Sequence, residues 1–149
     1  MRPLALSLAT ALLISCGGTA AAPSPSPTPS PTPKPTSVAK IATDATFGKI
    51  LVDQAGKTVY LWFKDFDENS QCYEACAAVW PPFLTEVKNI AGDGVTNGKL
   101  GVMARKDGKL QVTYNAHPLY YFVRDSATTP TAGHGSTGFG ALWVVVQQP

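Results

Sequence analysis

Histidine is almost missing from this chain, with two imidazoles, His117 and His134, in 149 residues. Cysteine is nearly as scarce, at three. No Ser-His-Asp order, glycine-rich phosphate loop or zinc-protease motif occurs, so the common sequence signatures of acyl and phosphoryl chemistry are absent. There is no basic run either. With Arg2 and Lys34 set aside, ten basic residues balance ten acidic ones, the body of the chain is formally neutral, and nucleic acid is not an expected partner. After the first fifteen residues no stretch approaches the roughly eighteen apolar residues that a membrane-spanning helix needs.

The N-terminus holds the one long apolar run. Arg2 supplies positive charge, and residues 4–14 are apolar but too short to cross a bilayer, which is the pattern of an export signal over 1–15. The run closes on Leu13, Ile14, Ser15 and Cys16, a lipobox, so Cys16 is expected to become a mature N-terminus carrying diacylglycerol. Two or three acyl chains, at about 0.8 kcal/mol per buried methylene, give a stable hold on a membrane. A plain secretory peptide with an incidental cysteine is the alternative.

Prolines occupy every second position from Pro23 to Pro35. Such a segment cannot pack a core, and 16–37 reads as a lipidated cysteine followed by an extended tether reaching roughly 40 Å. Residues 38–149 remain as a single globular domain.

If Cys16 carries lipid, Cys72 and Cys76 are left as an even pair in a compartment where disulfides persist, and a structural staple is one expectation. Because residues four apart on a regular helix hold their β-carbons too far apart, such a bridge needs a helix end or an irregular turn. The alternative is a copper or thiol-redox site, in which Cys72 and Cys76 are joined by His117 or His134.

An internal repeat organises the domain. "GKILVDQAGKTVYLWFKD" from Gly48 aligns without a gap on "GKLQVTYNAHPLYYFVRD" from Gly108, so Tyr60, Trp62 and Asp65 fall on Tyr120, Phe122 and Asp125. Each copy then reaches a tryptophan, Trp80 or Trp143. Each reads as a β-hairpin whose second strand, 58–63 or 119–123, is apolar on both parities and so covered on both faces. Residues 141–146 supply another strand, and 100–105 an arm turned at Asp107 and Gly108. One helix is expected over 72–79, stopped by Pro81 and Pro82. The predicted fold is mainly β: a compact antiparallel sheet domain built from two related hairpin repeats, at about 45–83 and 105–147, with one short helix.

Both copies, "YLWFKD" and "YYFVRD", carry Tyr-x-(Phe/Trp/Tyr)-x-x-Asp. With "CYEACAAVWPPF", "RKDGKLQVTYNAHPLYYF" and "FGALWVVV", the chain resembles the bacterial secreted-repeat lipoprotein family over nearly all of 45–147. The resemblance implies envelope location and lipid attachment, and no particular reaction. Asp65 and Asp125 could form an acid and base pair of the glycosidase kind, which needs carboxylates about 5 to 9 Å apart. The simpler expectation is that each locks the turn that follows it, with its tyrosine in the core. The functional expectation is a lipid-anchored, non-catalytic module facing the periplasm or exterior, without cofactor, that binds an envelope polymer or a protein partner. Its alternative is an extracytoplasmic copper-binding or thiol-redox accessory.

Overall fold

The computed structural model describes residues 33–65, 69–96 and 98–149. The leader, Cys16 and most of the tether lie outside the described residues. In chain order the strands are β1 Thr36–Asp44, β2 Gly48–Asp53, β3 Tyr60–Trp62, β4 Leu84–Thr85, β5 Ile90–Asp93, β6 Leu100–Ala104, β7 Leu110–Tyr114, β8 His117–Pro118 and β9 Trp143–Val145. Helix α1, Ala75–Val79, follows β3, and a 3-10 turn, Gly138–Gly140, precedes β9. The fold is mainly β, with antiparallel sheets and one short helix.

Each copy opens on a hairpin. β1 pairs β2 with Ala42 opposite Ile50, and β6 pairs β7 with Val102 opposite Val112. Asp44 closes the first turn by accepting from the amides of Thr46 and Phe47, while Arg105 N donates to Lys109 O across the second. β1 begins inside the segment read as tether, where Thr36 N donates to Asn89 O and Asn89 Nδ2 to Pro33 O. One pairing departs from the antiparallel pattern: β5 runs parallel to β1, with Ser37 opposite Ala91.

The copies are related differently along their length. Leu51 N donates to Val146 O, Val59 N to Leu51 O and Val146 N to Val59 O. In the second copy Val112 N donates to Phe83 O, Leu119 N to Val112 O and Phe83 N to Leu119 O. These two three-way junctions make Leu51 the counterpart of Val112, not of Gln111, so the ungapped alignment slips by one residue in the first strand. The turn after β7 is the shorter one: Asn115 and Ala116, both at positive φ (48° and 68°), join Tyr114 directly to its partner His117. Two left-handed central residues are what a two-residue hairpin turn requires.

The junctions also show an exchange. Phe83 ends the first copy but closes the second, and Val146 ends the second but closes the first. β9 pairs β3 as a regular ladder, Tyr60 opposite Val145 and Trp62 opposite Trp143. The symmetric partner of 119–122 contains Pro81 and Pro82, which have no amide to donate. There the pairing shrinks to a Pro82–Tyr120 bridge and bonds from Tyr121 N to Pro81 O and Val123 N to Val79 O.

Two cores result. Ile50, Val52, Tyr60, Trp62, Tyr120 and Trp143 share one, with Cys72, Cys76 and Trp80. Leu51, Val59, Val112 and Leu119 fill the other with Phe83 and Val146. Successive residues point to opposite faces of a strand, so 50–52 and 59–62 each feed both. Burial stops at the strand ends, because the equivalent residues Phe63 and Val123 are about half exposed, at 50% and 53%. The helix is shorter than expected. Cys72 stands before it, across a turn in which Glu74 has φ 49°, and this irregular entry brings the Cα atoms of Cys72 and Cys76 to 5.2 Å for the disulfide.

Candidate functional site

The two motif copies meet at their tyrosines. Tyr60 N donates to Tyr120 O at 2.8 Å and Tyr120 N to Tyr60 O at 3.0 Å, a single antiparallel pair lying on a pseudo-twofold axis. Their hydroxyls then cross over. Tyr60 donates to Asp125, with 2.9 and 2.8 Å to its two carboxylate oxygens, and Tyr120 donates to Asp65 Oδ2 at 2.6 Å. Each aspartate closes a tight turn on its motif's second aromatic, Asp65 N to Trp62 O and Asp125 N to Phe122 O. Each also holds its own loop: Asp65 Oδ1 accepts from Gln71 N at 2.8 Å, and Asp125 accepts from the amides of Ala132 and Gly133.

Burial raises both phenols above their ordinary range, and the facing carboxylates, Asp125 for Tyr60 and Asp65 for Tyr120, push in the same direction. Burial also raises Asp125, against the donors from Tyr60, Gly133 and Ala132 and the charge of Lys57. Asp125 lines an open groove with Gly56, Lys57, Thr58 and Ser126, while Asp65 is only 2% exposed.

The motif's second aromatics form a column with the tryptophans that end the copies. Trp62 stacks on Trp143 at 4.7 Å between centroids, Trp143 on Trp80 at 3.9 Å, and Trp80 on Phe122 at 4.3 Å. The order again crosses between copies, since Trp62 meets the tryptophan of the second and Phe122 that of the first. Tyr60 stands edge-on to Trp80 and Tyr120 edge-on to Trp143, at 5.4 and 5.3 Å. Edge-to-face and parallel pairs of this kind add about 0.5–1.5 kcal/mol each beyond area burial.

Sequence reading missed Arg105. It leaves the second hairpin turn, passes over the Tyr73 ring at 4.4 Å, and is 5% exposed. Its guanidinium donates to Ser70 Oγ at 2.9 Å, Gln111 Oε1 at 2.5 Å and Cys72 O at 3.0 Å. Ser70 lies 2.8 Å from the Tyr120 hydroxyl, so Arg105, Ser70, Tyr120 and Asp65 form one buried polar chain. The available signal was Gln111 and Thr113, polar residues in an otherwise apolar strand, which implied a buried partner.

The histidines sit apart from the sulfurs. His117 Nδ1 lies 3.1 Å from Asp65 O, and His134 Nδ1 accepts from Val145 N at 3.3 Å while its ring packs on Phe47. Among the described residues no three His, Cys, Asp or Glu side chains gather as a metal-ligand group. Cys72 and Cys76 are bonded to each other. The arrangement ties down two loops and joins two copies.

A family model described as a secreted repeat of unknown function matches this chain twice, at residues 42–83 and 101–147. The matched segments start inside β1 and β6, so the unit is longer at its front than the motif repeat and takes in the end of β1 and most of β6. No curated protein and no solved structure matches the chain. The two matches cover more than half of the chain, which belongs to this family of secreted repeats.

Proposed function

Taking that membership as the premise, we propose that the chain is a lipid-anchored, non-catalytic module of the bacterial cell envelope, which binds an envelope component or a partner protein. The anchor is Cys16, and the proline tether stands the β body off the membrane. The observation that supports the binding role is the division of labour between polar and apolar side chains. Both motif carboxylates are engaged by tyrosines and loop amides. Meanwhile Phe63, Phe139 and Leu142, at 50%, 41% and 37% exposure, lie on one rim. Phe63 N donates to Leu142 O, and Lys64 Nζ reaches Phe139 O. Apolar groups gathered at a surface beside a cation suit recognition, whereas single scattered ones need no explanation.

The test is detergent extraction from the native host with a photo-crosslinker at Phe139. The expected result is a crosslink to one envelope component that disappears in a Phe63→Ser, Leu142→Ser variant, and a crosslink indifferent to those changes would overturn the reading. Palmitate labelling should be lost in Cys16→Ser; an unlabelled wild type that retains its leader would remove the anchor. Thiol titration separates the copper or thiol-redox alternative, because a staple leaves no free thiol, whereas a metal site releases two after chelation.

A further inference from the structure

A stacked core needs no carboxylates. A buried tyrosine hydroxyl is satisfied by any acceptor, and a backbone carbonyl or amide oxygen costs less to bury than an ionised side chain. Here each of two phenols, both at 0% exposure, is given a carboxylate, and each phenol also touches an indole of one continuous column.

The column has the geometry for moving an electron. Trp62, Trp143 and Trp80 are nearly parallel, at 6° and 3° between successive rings, so their π faces overlap without an intervening aliphatic gap. From either inner indole a phenol is one ring away. Indole and phenol are the aromatic side chains that strong one-electron oxidants attack, and they differ in what must happen to the proton. A phenol gives up its electron readily only if its proton leaves at the same moment. Tyr60 and Tyr120 each have a carboxylate waiting at hydrogen-bond distance. The indole amines instead donate to carbonyls, Trp62 to Ala141 O at 3.3 Å and Trp143 to Gly138 O at 2.8 Å, which do not take a proton. The Lys64 ammonium, 5.3 Å from the Trp62 ring, opposes positive charge on that outer indole and biases it inward. Trp62, at 4% exposure, is the least buried of the three indoles, and it lines a small pocket with Leu61, Phe63, Asp65 and His117.

We propose that this column is a one-electron relay, taking oxidising equivalents at Trp62 and delivering them through Trp143 and Trp80 to Tyr60 and Tyr120. The oxidant is a small inorganic radical of the carbonate-radical class. It gains one electron and becomes carbonate; the electron comes finally from a tyrosine, whose phenolic proton passes to its aspartate. The products are a neutral tyrosyl radical, a protonated carboxyl group and carbonate, with charge conserved.

The experiment is pulse radiolysis of the purified full chain in bicarbonate, following tryptophanyl and tyrosyl absorption. The expected result is tryptophanyl decay matched by tyrosyl growth, at a rate independent of protein concentration and slower in D2O. Trp62→Phe should lower the tyrosyl yield severalfold, and Asp125→Asn should remove the share that ends on Tyr60. A rate proportional to protein concentration, the same rate in D2O, or an unchanged yield in Trp62→Phe overturns the proposal. The concentration and isotope measurements use the wild-type protein, so they decide the matter even if a variant fails to fold.

Discussion

The Tyr60 hydroxyl belongs to the first motif copy, and Asp125, which accepts its proton bond at 2.8–2.9 Å, belongs to the second. The reciprocal bond from Tyr120 to Asp65 makes the motif a device for joining two copies rather than for shaping one. The two ends of the motif therefore work in different copies. Tyr60 lies in a strand that the other copy's closing strand pairs, Tyr120 is bridged by the other copy's Pro82, and each aspartate sits where the other copy's tyrosine can reach it.

The two crossed bonds are not equal in their surroundings. Asp65 is 2% exposed, so Tyr120→Phe leaves a buried carboxylate short of a donor, at a cost of about 2–3 kcal/mol. Asp125 borders an open groove where water can replace the lost hydroxyl, and Tyr60→Phe should cost nearer 1 kcal/mol. Urea unfolding of the two variants should rank them in that order.

Gly133 is where the column leaves no room. A methyl group there would meet Trp80 Cη2 at 2.7 Å and Phe122 Cβ and Cγ at 3.0 Å, and Trp80 cannot retreat because it is held between Trp143 and Phe122. Gly133→Ala should destabilise by about 1–3 kcal/mol, as overpacking does. Near-ultraviolet circular dichroism should show the tryptophan signal weakened in the folded variant.

The Cys72–Cys76 bridge closes a very short loop, and the chain-entropy account assigns it only about 2 kcal/mol. Arg105 independently holds the Cys72 carbonyl at 3.0 Å. The double variant Cys72→Ala, Cys76→Ala should therefore still fold, with a lowered thermal midpoint. Adding Arg105→Met to it should lower the midpoint further, and an additive result would mean the two restraints act on different parts of the loop.

The offset repeat was legible because tyrosine, a bulky aromatic and aspartate recur at one spacing, and that spacing is a property of strands. The exchange between copies was not, since a symmetric sequence is equally compatible with each copy closing on itself. The one-residue slip in the first strand was hidden for a related reason: Ile50, Leu51 and Val52 are all buried, so no alternation marked which face was which. β1 follows a proline tether and carries only intermittent apolar residues, and β5 is four residues with a glycine, too short for a periodic signal. Arg105 looked like an ordinary charge beside a turn. Its burial depends on a serine and a carbonyl some 33 to 35 residues earlier, a proximity that no local pattern reports.

Alkaline pH should unfold this protein cooperatively. Burial, followed by the adjacent carboxylates, holds Tyr60, Tyr120 and Tyr121 above the usual phenol range. A raised native value means that the folded state retains protons the unfolded chain releases, so the stability these groups contribute is complete below about pH 10 and falls above it. Three such groups together remove about 4 kcal/mol per pH unit at full effect. Tyrosinate absorbance from these three should rise only together with loss of secondary structure. Tyr121→Phe loses only the bond from its hydroxyl to Asp53, and because Tyr121 is outside the crossed pair it is the variant that shifts this transition with least disturbance.

Neither copy should fold without the other. A chain cut after Lys99 leaves a second fragment, 100–149, with no Trp80 to stack on Trp143, no Asp65 for Tyr120 and no Phe83 to close the junction at Val112 and Leu119. The first fragment loses Val146 from its own junction, the β9 ladder along β3, and Asp125 for Tyr60. Each fragment therefore exposes half of the aromatic column and an unpaired strand edge, and should show little structure by circular dichroism. Mixing them restores every one of those partners in trans, so the near-ultraviolet signal of the stacked tryptophans should return, with a midpoint that depends on concentration. A fragment that displays the native tryptophan signal alone would mean that a copy can close on itself, and that the crossed bonds are a refinement of a fold each copy already possesses.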